Sequence, residues 1–77
     1  MKITVKLNAS LKKYANGGEN GVVTLEIPPM DIEGLIKHLG IDRLNTGIVL
    51  INGKNSDYST NICDNDFIQI LTELKGG

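Results

Sequence analysis

The sequence predicts an α+β domain in which one main helix packs across a mixed β-sheet. Three observations lead to this prediction: two alternating apolar–polar stretches near the N-terminus, one amphipathic segment in the middle, and two apolar stretches in the second half. At 77 residues the chain is long enough for one small domain, and its 40% hydrophobic content is enough for a single core.

The two N-terminal strands are predicted from a period of two residues. Residues 3–7 alternate apolar with polar side chains, residues 22–27 place Val23, Leu25 and Ile27 on one face, and Pro28-Pro29 ends the second strand. Residues 16–21 are polar and rich in glycine, which is typical of a loop, so the strands are expected to form a hairpin. About one helical turn is expected at residues 11–15.

The middle of the chain carries the signals of one helix. Asp31 can cap its N-terminus, Met30 and Leu35 fit a hydrophobic staple, and Gly40 can end it. Gly34 inside the helix costs about 1 kcal/mol relative to alanine, so we expect packing to hold the helix. Its apolar residues follow helical spacing: Ile32, Leu35, Ile36 and Leu39.

The second half predicts two further strands. Residues 48–51 are continuously apolar, as expected of a strand covered on both faces, and Asn52-Gly53 predicts a turn after it. A short irregular strand is expected around Tyr58, then a turn at residues 64–66 and a final strand at 67–71. The order β-β-α-β-β with one crossing helix is that of a β-grasp sheet.

Matched periodicity predicts one core and a free C-terminal segment. Residues 1–71 are expected to form the domain and residues 72–77 a flexible tail, with Leu74 to Gly77 poorly ordered. The predicted core comprises Ile3, Val5, Leu7, Val23, Leu25, Ile27, Leu35, Ile36, Leu39, Val49, Ile51, Phe67 and Ile70.

Composition excludes several classes of function. A formal net charge of −1 argues against a nucleic-acid partner, which calls for a basic excess. No apolar run approaches the ~20 residues that span a bilayer, so no membrane association is expected. The single cysteine predicts neither a disulfide framework nor a metal cluster, and no signal peptide is evident. We therefore expect a cytoplasmic protein.

The C-terminal Lys75-Gly76-Gly77 is the most informative motif for function. Two residues without side chains let the terminus adopt conformations closed to other residues and enter a narrow channel. An enzyme that activates the carboxylate as an acyl-adenylate must enclose carboxylate and phosphate together, where a Cβ would be in the way. The alternative is a frayed, solubilising end. The dipeptide alone does not decide between these readings.

Five segments along the chain resemble motifs of the ubiquitin-like sulfur carriers, which include the small subunit of molybdopterin synthase and the thiamine-biosynthesis sulfur carrier. The segments are 7–14 (Leu-Phe-Ala-x-Leu-Arg-Glu in the family), 31–36 (Thr-Val-x-x-Leu-Leu), 51–54 (Val-Asn-Gly-Glu/Lys), 62–66 (Leu-x-Asp-Gly-Asp) and 71–77 (Leu-Pro-Pro-Val-x-Gly-Gly). Each segment alone is a weak match, but five in this order and at this spacing make the resemblance fairly specific. The first segment favours the molybdopterin type.

The chain departs from the family pattern at a few positions. Asn8 stands where the family usually has phenylalanine, and Thr72 and Glu73 replace two prolines. Lys75 is long and charged where a small residue is common. These changes leave the C-terminal chemistry intact but alter the surface that a partner would meet.

The resemblance implies that the protein is a sulfur-carrying cosubstrate and not itself an enzyme. Gly77, with Gly76, would be the reactive site: an activating enzyme uses ATP to adenylate the carboxylate, which then becomes a thiocarboxylate. The sulfur would pass to a synthase subunit, that of molybdopterin synthase or thiazole synthase. No bound cofactor is expected.

The resemblance also suggests which residues meet these partners. Leu74 would be an apolar anchor of the tail, and Lys75, Lys12 and Lys13 would face a partner protein. Two other functions stay open: a protein modifier joined through Gly77 to lysines, and a β-grasp interaction module with an incidental Gly-Gly end.

Overall fold

The computed structural model describes residues 1–14 and 20–72. The elements follow in the order β1 (Lys2–Leu7), a first 3₁₀ helix (Ala9–Tyr14), β2 (Val22–Glu26), α1 (Ile32–Leu39), a second 3₁₀ helix (Arg43–Asn45), β3 (Ile48–Ile51), β4 (Lys54–Ser56) and β5 (Phe67–Leu71).

The described strands form one mixed five-stranded sheet in the order β2-β1-β5-β3-β4. β1 and β2 form the expected antiparallel hairpin, β1 runs parallel to β5, and β3 is antiparallel to both β5 and β4. The predicted α+β class, a mixed sheet with one main helix, is therefore confirmed.

The short fourth strand lies earlier than the sequence suggested. It covers Lys54–Ser56, whereas Tyr58 lies in the turn that follows. The cause is the tight turn at Asn52-Gly53, where both residues have positive φ (52° and 84°). Such a turn pairs the residues on either side of it at once, so β4 has to begin directly after Gly53.

α1 begins and ends where the sequence predicts. The Asp31 carboxylate accepts a hydrogen bond from the Gly34 N–H (2.8 Å), which satisfies one of the free amides of the first turn. Gly40 adopts the left-handed conformation (φ 77°), and its N–H donates hydrogen bonds to carbonyls of the last turn. The helix packs its buried Ile32, Leu35 and Ile36 against one face of the sheet.

The core between α1 and the sheet differs in part from the predicted set. Val23, Leu25, Leu39 and Ile51 are only partly buried, and Phe67 is 36% exposed, so its assignment to the core was wrong. The buried apolar residues are Ile3, Val5, Leu7, Leu11, Ile27, Ile32, Leu35, Ile36, Ile41, Val49, Ile62, Ile68 and Ile70. None of the helices in the described part of the chain is long and apolar enough to cross a membrane.

Candidate functional site

The residues predicted to be reactive lie beyond the described part of the chain. Gly76 and Gly77, the predicted partner residues Leu74 and Lys75, and the expected flexibility of residues 74–77 all fall outside the described residues. The described chain reaches Thr72, which is half-buried and directly follows β5. The structure therefore describes the base of the C-terminal segment, which is the end of β5 and Thr72.

The end of β5 is held by hydrogen bonds on both sides. The Leu71 carbonyl accepts a hydrogen bond from the Gly47 N–H at 2.7 Å, and the Ile70 carbonyl accepts one from the Asn8 N–H at 3.4 Å. These contacts tie the last residues of β5 to the start of β3 and to the end of β1. The base of the C-terminal segment is thus fixed to the sheet up to Leu71.

Lys12 lies at this same end of the sheet. Because β1 and β5 are parallel, the first 3₁₀ helix, which follows β1, lies near the point where the chain leaves β5. Leu11 is buried (1% exposed) and anchors that helix, while Lys12 is exposed. The Lys13 side chain is outside the described residues. The structure therefore brings Lys12 towards the C-terminal base, and the partner role of both lysines stays a prediction.

Gly21 fixes the position of the first 3₁₀ helix. Its carbonyl accepts a hydrogen bond from the Leu7 N–H (2.8 Å), and its φ of 77° is in the left-handed region. A Cβ on Gly21 would collide with the Leu7 carbonyl oxygen and lie 3.1 Å from Cγ of Lys12. The chain needs glycine here because the 3₁₀ helix, β1 and the start of β2 approach so closely.

Side chains of the second 3₁₀ helix and its neighbours form a cluster just before β3. The Arg43 guanidinium lies 4.1 Å from the centre of the Tyr58 ring and 3.6 Å from the Glu33 carboxylate. The Thr46 hydroxyl lies 2.6 Å from the Tyr58 hydroxyl and donates to the Arg43 carbonyl at 2.8 Å. Thr46 directly precedes Gly47, whose N–H donates a hydrogen bond to the Leu71 carbonyl. The cluster therefore also supports the end of β5, where the C-terminal segment begins.

The outer face of the sheet, away from α1, carries an apolar patch that the sequence analysis missed. It is formed by Ile48, Leu50, Phe67 and Leu71, with Ile48 paired to Leu71 and Leu50 paired to Gln69. Ile48 is 51% exposed, and Leu50 and Leu71 are partly exposed. The prediction that residues 48–51 are covered on both faces was therefore wrong. Only Val49 and Ile51 face the core, because β3 is paired antiparallel and α1 covers one side of the sheet.

The acidic turn before β5 has a structural role, as predicted. The two carboxylate oxygens of Asp66 accept hydrogen bonds from Asn52 Nδ2 (2.9 Å) and from the Cys63 N–H (2.8 Å). Asp64 accepts from the Lys2 N–H at 2.7 Å. Cys63 carries an exposed free thiol. Within residues 1–14 and 20–72, no three His, Cys, Asp or Glu side chains converge as metal ligands.

A shallow groove lies on the helix side of the sheet. It has a volume of about 180 Å³, smaller than the ~300–1,000 Å³ of typical small-molecule sites. Its lining is mostly apolar and consists of Tyr14, Val23, Leu25, His38 and Leu39. Because it is small and lies on the opposite side from the apolar patch, it is not part of the candidate site.

Several known structures share the fold of this protein. The crystal structure of SAMP1 from Haloferax volcanii aligns over 100% of both chains with a TM-score of 0.71 and 17% identity. A second crystal structure, of H. volcanii small archaeal modifier protein 1, aligns over 95% of this chain and 98% of its own, with a TM-score of 0.72 and 13% identity.

The putative molybdopterin converting factor, subunit 1, from Pyrococcus furiosus aligns over 95% of this chain and 98% of its own, with a TM-score of 0.73 and 15% identity. At these identities the likeness concerns the fold, which is the ubiquitin-like β-grasp. No curated protein sequence matches the chain significantly.

The sequence itself decides the family. The model of the ThiS family matches residues 5–77, almost the whole chain, including the Gly-Gly terminus. The chain therefore belongs to the ThiS family, and the resemblance to ubiquitin-like sulfur carriers is confirmed. It is a small ubiquitin-fold protein of this sulfur-carrier family.

Proposed function

We propose that this protein carries sulfur on its C-terminus, for use in molybdopterin biosynthesis. In this proposal an activating enzyme uses ATP to convert the Gly77 carboxylate to an acyl-adenylate and releases pyrophosphate. The terminal sulfur of a persulfide donor then displaces AMP and forms an acyl disulfide. A second thiol attacks the donor sulfur of that acyl disulfide, so that a glycine thiocarboxylate leaves and the two thiols are joined as a disulfide. The observation that carries the proposal is the family match, which extends to Gly77.

The geometry of the β5 end is compatible with this chemistry. Residues 72–77, if extended, reach about 20 Å beyond the sheet, far enough to enter a deep site while the domain stays outside. Gly76 and Gly77 carry no Cβ, so the reacting carboxylate can pass a narrow entrance. The hydrogen bonds at Leu71 and Ile70 fix the point from which that segment starts.

Two features favour the molybdopterin pathway over thiamine synthesis. The first 3₁₀ helix, Ala9–Tyr14, matches the segment that the sequence analysis associated with the molybdopterin type. The similar Pyrococcus furiosus protein is described as a putative molybdopterin converting factor subunit. The acceptor in this proposal is the large subunit of molybdopterin synthase, and thiazole synthase is the alternative.

The decisive experiment is intact mass spectrometry. The protein is incubated with the activating enzyme of its own organism, ATP and a sulfur donor. Replacement of one carboxylate oxygen by sulfur adds about 16 Da, a covalent change read directly from the mass. A chain lacking Gly76 and Gly77 is expected to gain nothing, while its stability changes by less than about 0.5 kcal/mol. An unmodified wild-type chain would contradict the proposal. So would a truncated chain that still replaces the full-length protein in a cell that lacks it.

A second candidate function is protein modification. It is favoured by the alignment with the Haloferax volcanii small archaeal modifier protein, because a modifier needs the same activated C-terminus. Isopeptide adducts between Gly77 and lysines of other proteins, found by peptide mass spectrometry, would support it. Formation of molybdopterin from its precursor by the thiocarboxylated chain and a synthase large subunit would support the carrier.

A further inference from the structure

One edge of β2 carries backbone groups that no strand of the described chain pairs. β2 is the first strand of the sheet, and its only neighbour is β1. Just beyond β2, Ile27 and Met1 exchange two hydrogen bonds: the Met1 ammonium donates to the Ile27 carbonyl (2.6 Å) and the Ile27 N–H to the Met1 carbonyl (2.8 Å). In an antiparallel pair such residues alternate with residues that do not bond to the neighbour. The N–H and C=O groups of Val22, Thr24 and Glu26 therefore point away from β1.

The shallow groove on the helix side runs beside this edge. Two of its lining residues, Val23 and Leu25, belong to β2, and Leu39 comes from the last turn of α1. All three are only partly buried at the margin of the core. A strand added to β2 would direct every second side chain to the face on which the groove lies. The edge and the groove thus suit the same ligand, an extended peptide whose backbone pairs with β2 and whose alternate side chains enter the groove.

The opposite edge of the sheet lacks these features. It is formed by β4, which has only three residues, all polar, and begins with Lys54. Short edge strands and edge lysines are two ways in which proteins prevent strand addition. β2 has five residues and contains neither lysine nor proline. Of the two edges, only β2 is open to a further strand.

The charges at the two ends of β2 indicate the composition of the ligand. Lys12 is exposed, and its side chain passes the start of β2, because a Cβ on Gly21 would lie 3.1 Å from Cγ of Lys12. Glu26 is exposed at the other end of the strand. A peptide with acidic residues at the Lys12 end is therefore attracted there, whereas acidic residues beside Glu26 would be repelled.

A second copy of the chain is less suited to the groove than a peptide. It would bring the Val23 and Leu25 side chains of its own β2, and these already pack against its own core. A free extended segment has no such commitment, so its apolar side chains are available to the groove.

We propose that the β2 edge and the adjoining groove bind an extended segment of another protein by strand addition. The segment has apolar side chains at alternate positions and acidic residues at the end that faces Lys12. β2 lies two strands from β5, a distance of about 10 Å, and the groove is on the face opposite the apolar patch. A partner bound here leaves the C-terminal segment free. The proposal does not depend on the chemistry of Gly77.

The test is an NMR titration of the ¹⁵N-labelled protein with two synthetic peptides, each acetylated and amidated. Thr-Val-Thr-Ile-Glu-Glu places its acidic end at Lys12 when it adds antiparallel to β2, and Glu-Glu-Ile-Thr-Val-Thr does so when it adds parallel. At least one of them is expected to bind saturably. It is expected to shift the amide signals of Val22, Thr24 and Glu26, whose N–H groups gain acceptors, and to leave those of β4 unchanged.

Thr24→Pro removes an outward-facing N–H that pairs with nothing in the described sheet, and proline is tolerated at such edge positions. It is expected to weaken peptide binding at least tenfold. The matched control Thr24→Ala keeps the N–H and is expected to bind within twofold of the wild type. Circular dichroism shows whether each variant is folded.

Two further variants test the groove and the charge without changing the edge. Leu39→Ala removes an apolar wall of the groove and is expected to weaken binding several-fold. Lys12→Glu is expected to weaken binding of the acidic peptides and to strengthen binding of the same peptides with Lys-Lys in place of Glu-Glu. Such a reversal would not follow from a loss of folding.

Three results would overturn the proposal. The first is that neither peptide binds, and the second is that a folded Thr24→Pro variant binds as the wild type does. The third is a wild-type dimer in analytical ultracentrifugation that Thr24→Pro converts to a monomer, because a second copy would then occupy the edge. A chain without Gly76 and Gly77 is expected to bind the peptides like the wild type. Failure of the sulfur-carrier function would therefore leave this proposal standing, and the reverse also holds.

Discussion

Phe67 and Ile68 are adjacent in β5 but point to opposite faces of the sheet. Ile68 is fully buried against the helix side, whereas Phe67 is 36% exposed on the outer face. The register fixes this arrangement, because Ile68 pairs with the buried Val5 and Phe67 pairs with Thr4. One strand thus serves the core on one side and presents an apolar surface on the other.

Truncation of these two side chains is expected to have unequal effects on stability. Ile68→Ala leaves a cavity in a closed core and is expected to lower the free energy of unfolding by about 2–5 kcal/mol. Phe67→Ala removes a side chain that is in part exposed, and we expect a loss of at most about 1 kcal/mol. Urea denaturation followed by circular dichroism measures both. Equal losses would mean that Phe67 belongs to the core.

Gly21→Ala is expected to destabilise the protein by more than about 2 kcal/mol. The added methyl group would be forced onto the Leu7 carbonyl oxygen, in a backbone conformation that alanine rarely adopts. The strain would displace β1 from the first 3₁₀ helix and move Lys12. Thermal or urea unfolding gives the change in stability.

Gly53→Ala is the matched control for this prediction. Gly53 also has a positive φ (84°), but nothing lies within 4 Å of the Cβ that alanine would add. It therefore reports the cost of the backbone conformation alone, about 1–2 kcal/mol. The difference between the two variants is the cost of the collision at Gly21. Equal effects would show that the close approach at Gly21 relaxes without cost.

Gly34→Ala is expected to give no gain in stability, although alanine is the better helix former by about 1 kcal/mol. The new methyl group would lie 3.2 Å from Cβ of Met30 and 3.3 Å from Oδ1 of Asp31. Both distances are tighter than ordinary contacts, and Asp31 is the residue that caps α1. The crowding is expected to offset the gain in propensity.

A double-mutant cycle checks this explanation. In a Met30→Gly background the Cβ of residue 30, the nearest contact of the new methyl group, is gone, so Gly34→Ala is expected to be more favourable there than in the wild type. Thermal unfolding of the four proteins gives the coupling energy. A full gain of about 1 kcal/mol from Gly34→Ala in the wild-type background would mean that Met30 and Asp31 adjust freely.

The sequence predicted the elements better than it predicted which side of each strand is buried. α1 was placed correctly because its cap, its spacing and its terminal glycine agree. In β5 and β3 nearly every residue is apolar, so no alternation marks the inner face. The prediction put Phe67 and Ile70 together in the core, although residues three apart in a strand face opposite ways.

Other core residues have no periodic signal at all. Leu11, Ile41 and Ile62 lie in a 3₁₀ helix or in irregular segments, and each is at most 5% exposed. Their burial depends on how the connections cross the ends of the sheet, which is set by tertiary packing. The candidate site, too, could be predicted only in part. The Gly-Gly motif was visible in the sequence, whereas the apolar patch depends on strand pairing and could not be recognised before it was known.

Asp57 is expected to titrate below the ordinary pKa of an aspartate. The side-chain hydrogen bond from the Ser59 hydroxyl (2.8 Å) is the main cause, followed by that from the Thr60 hydroxyl (3.0 Å), and both favour the charged form. Since the pKa is lowered on folding, the stabilising effect is present above ~3.9, the pKa in the unfolded chain. It is lost as the pH falls through the lower pKa of the folded protein.

This last prediction is checked by following the Asp57 side-chain carbon by NMR between pH 2 and pH 7. Ser59→Ala removes the hydroxyl hydrogen bond that lowers the pKa of Asp57 most, so it is expected to raise that pKa towards its ordinary value. Thr60→Val, which removes a weaker one, is expected to raise it less. Because Asp57 lies on the surface turn after β4, neither change is expected to alter the apolar patch or the β5 end. An Asp57 pKa that is the same in wild type and Ser59→Ala would show that the hydroxyl does not stabilise the carboxylate.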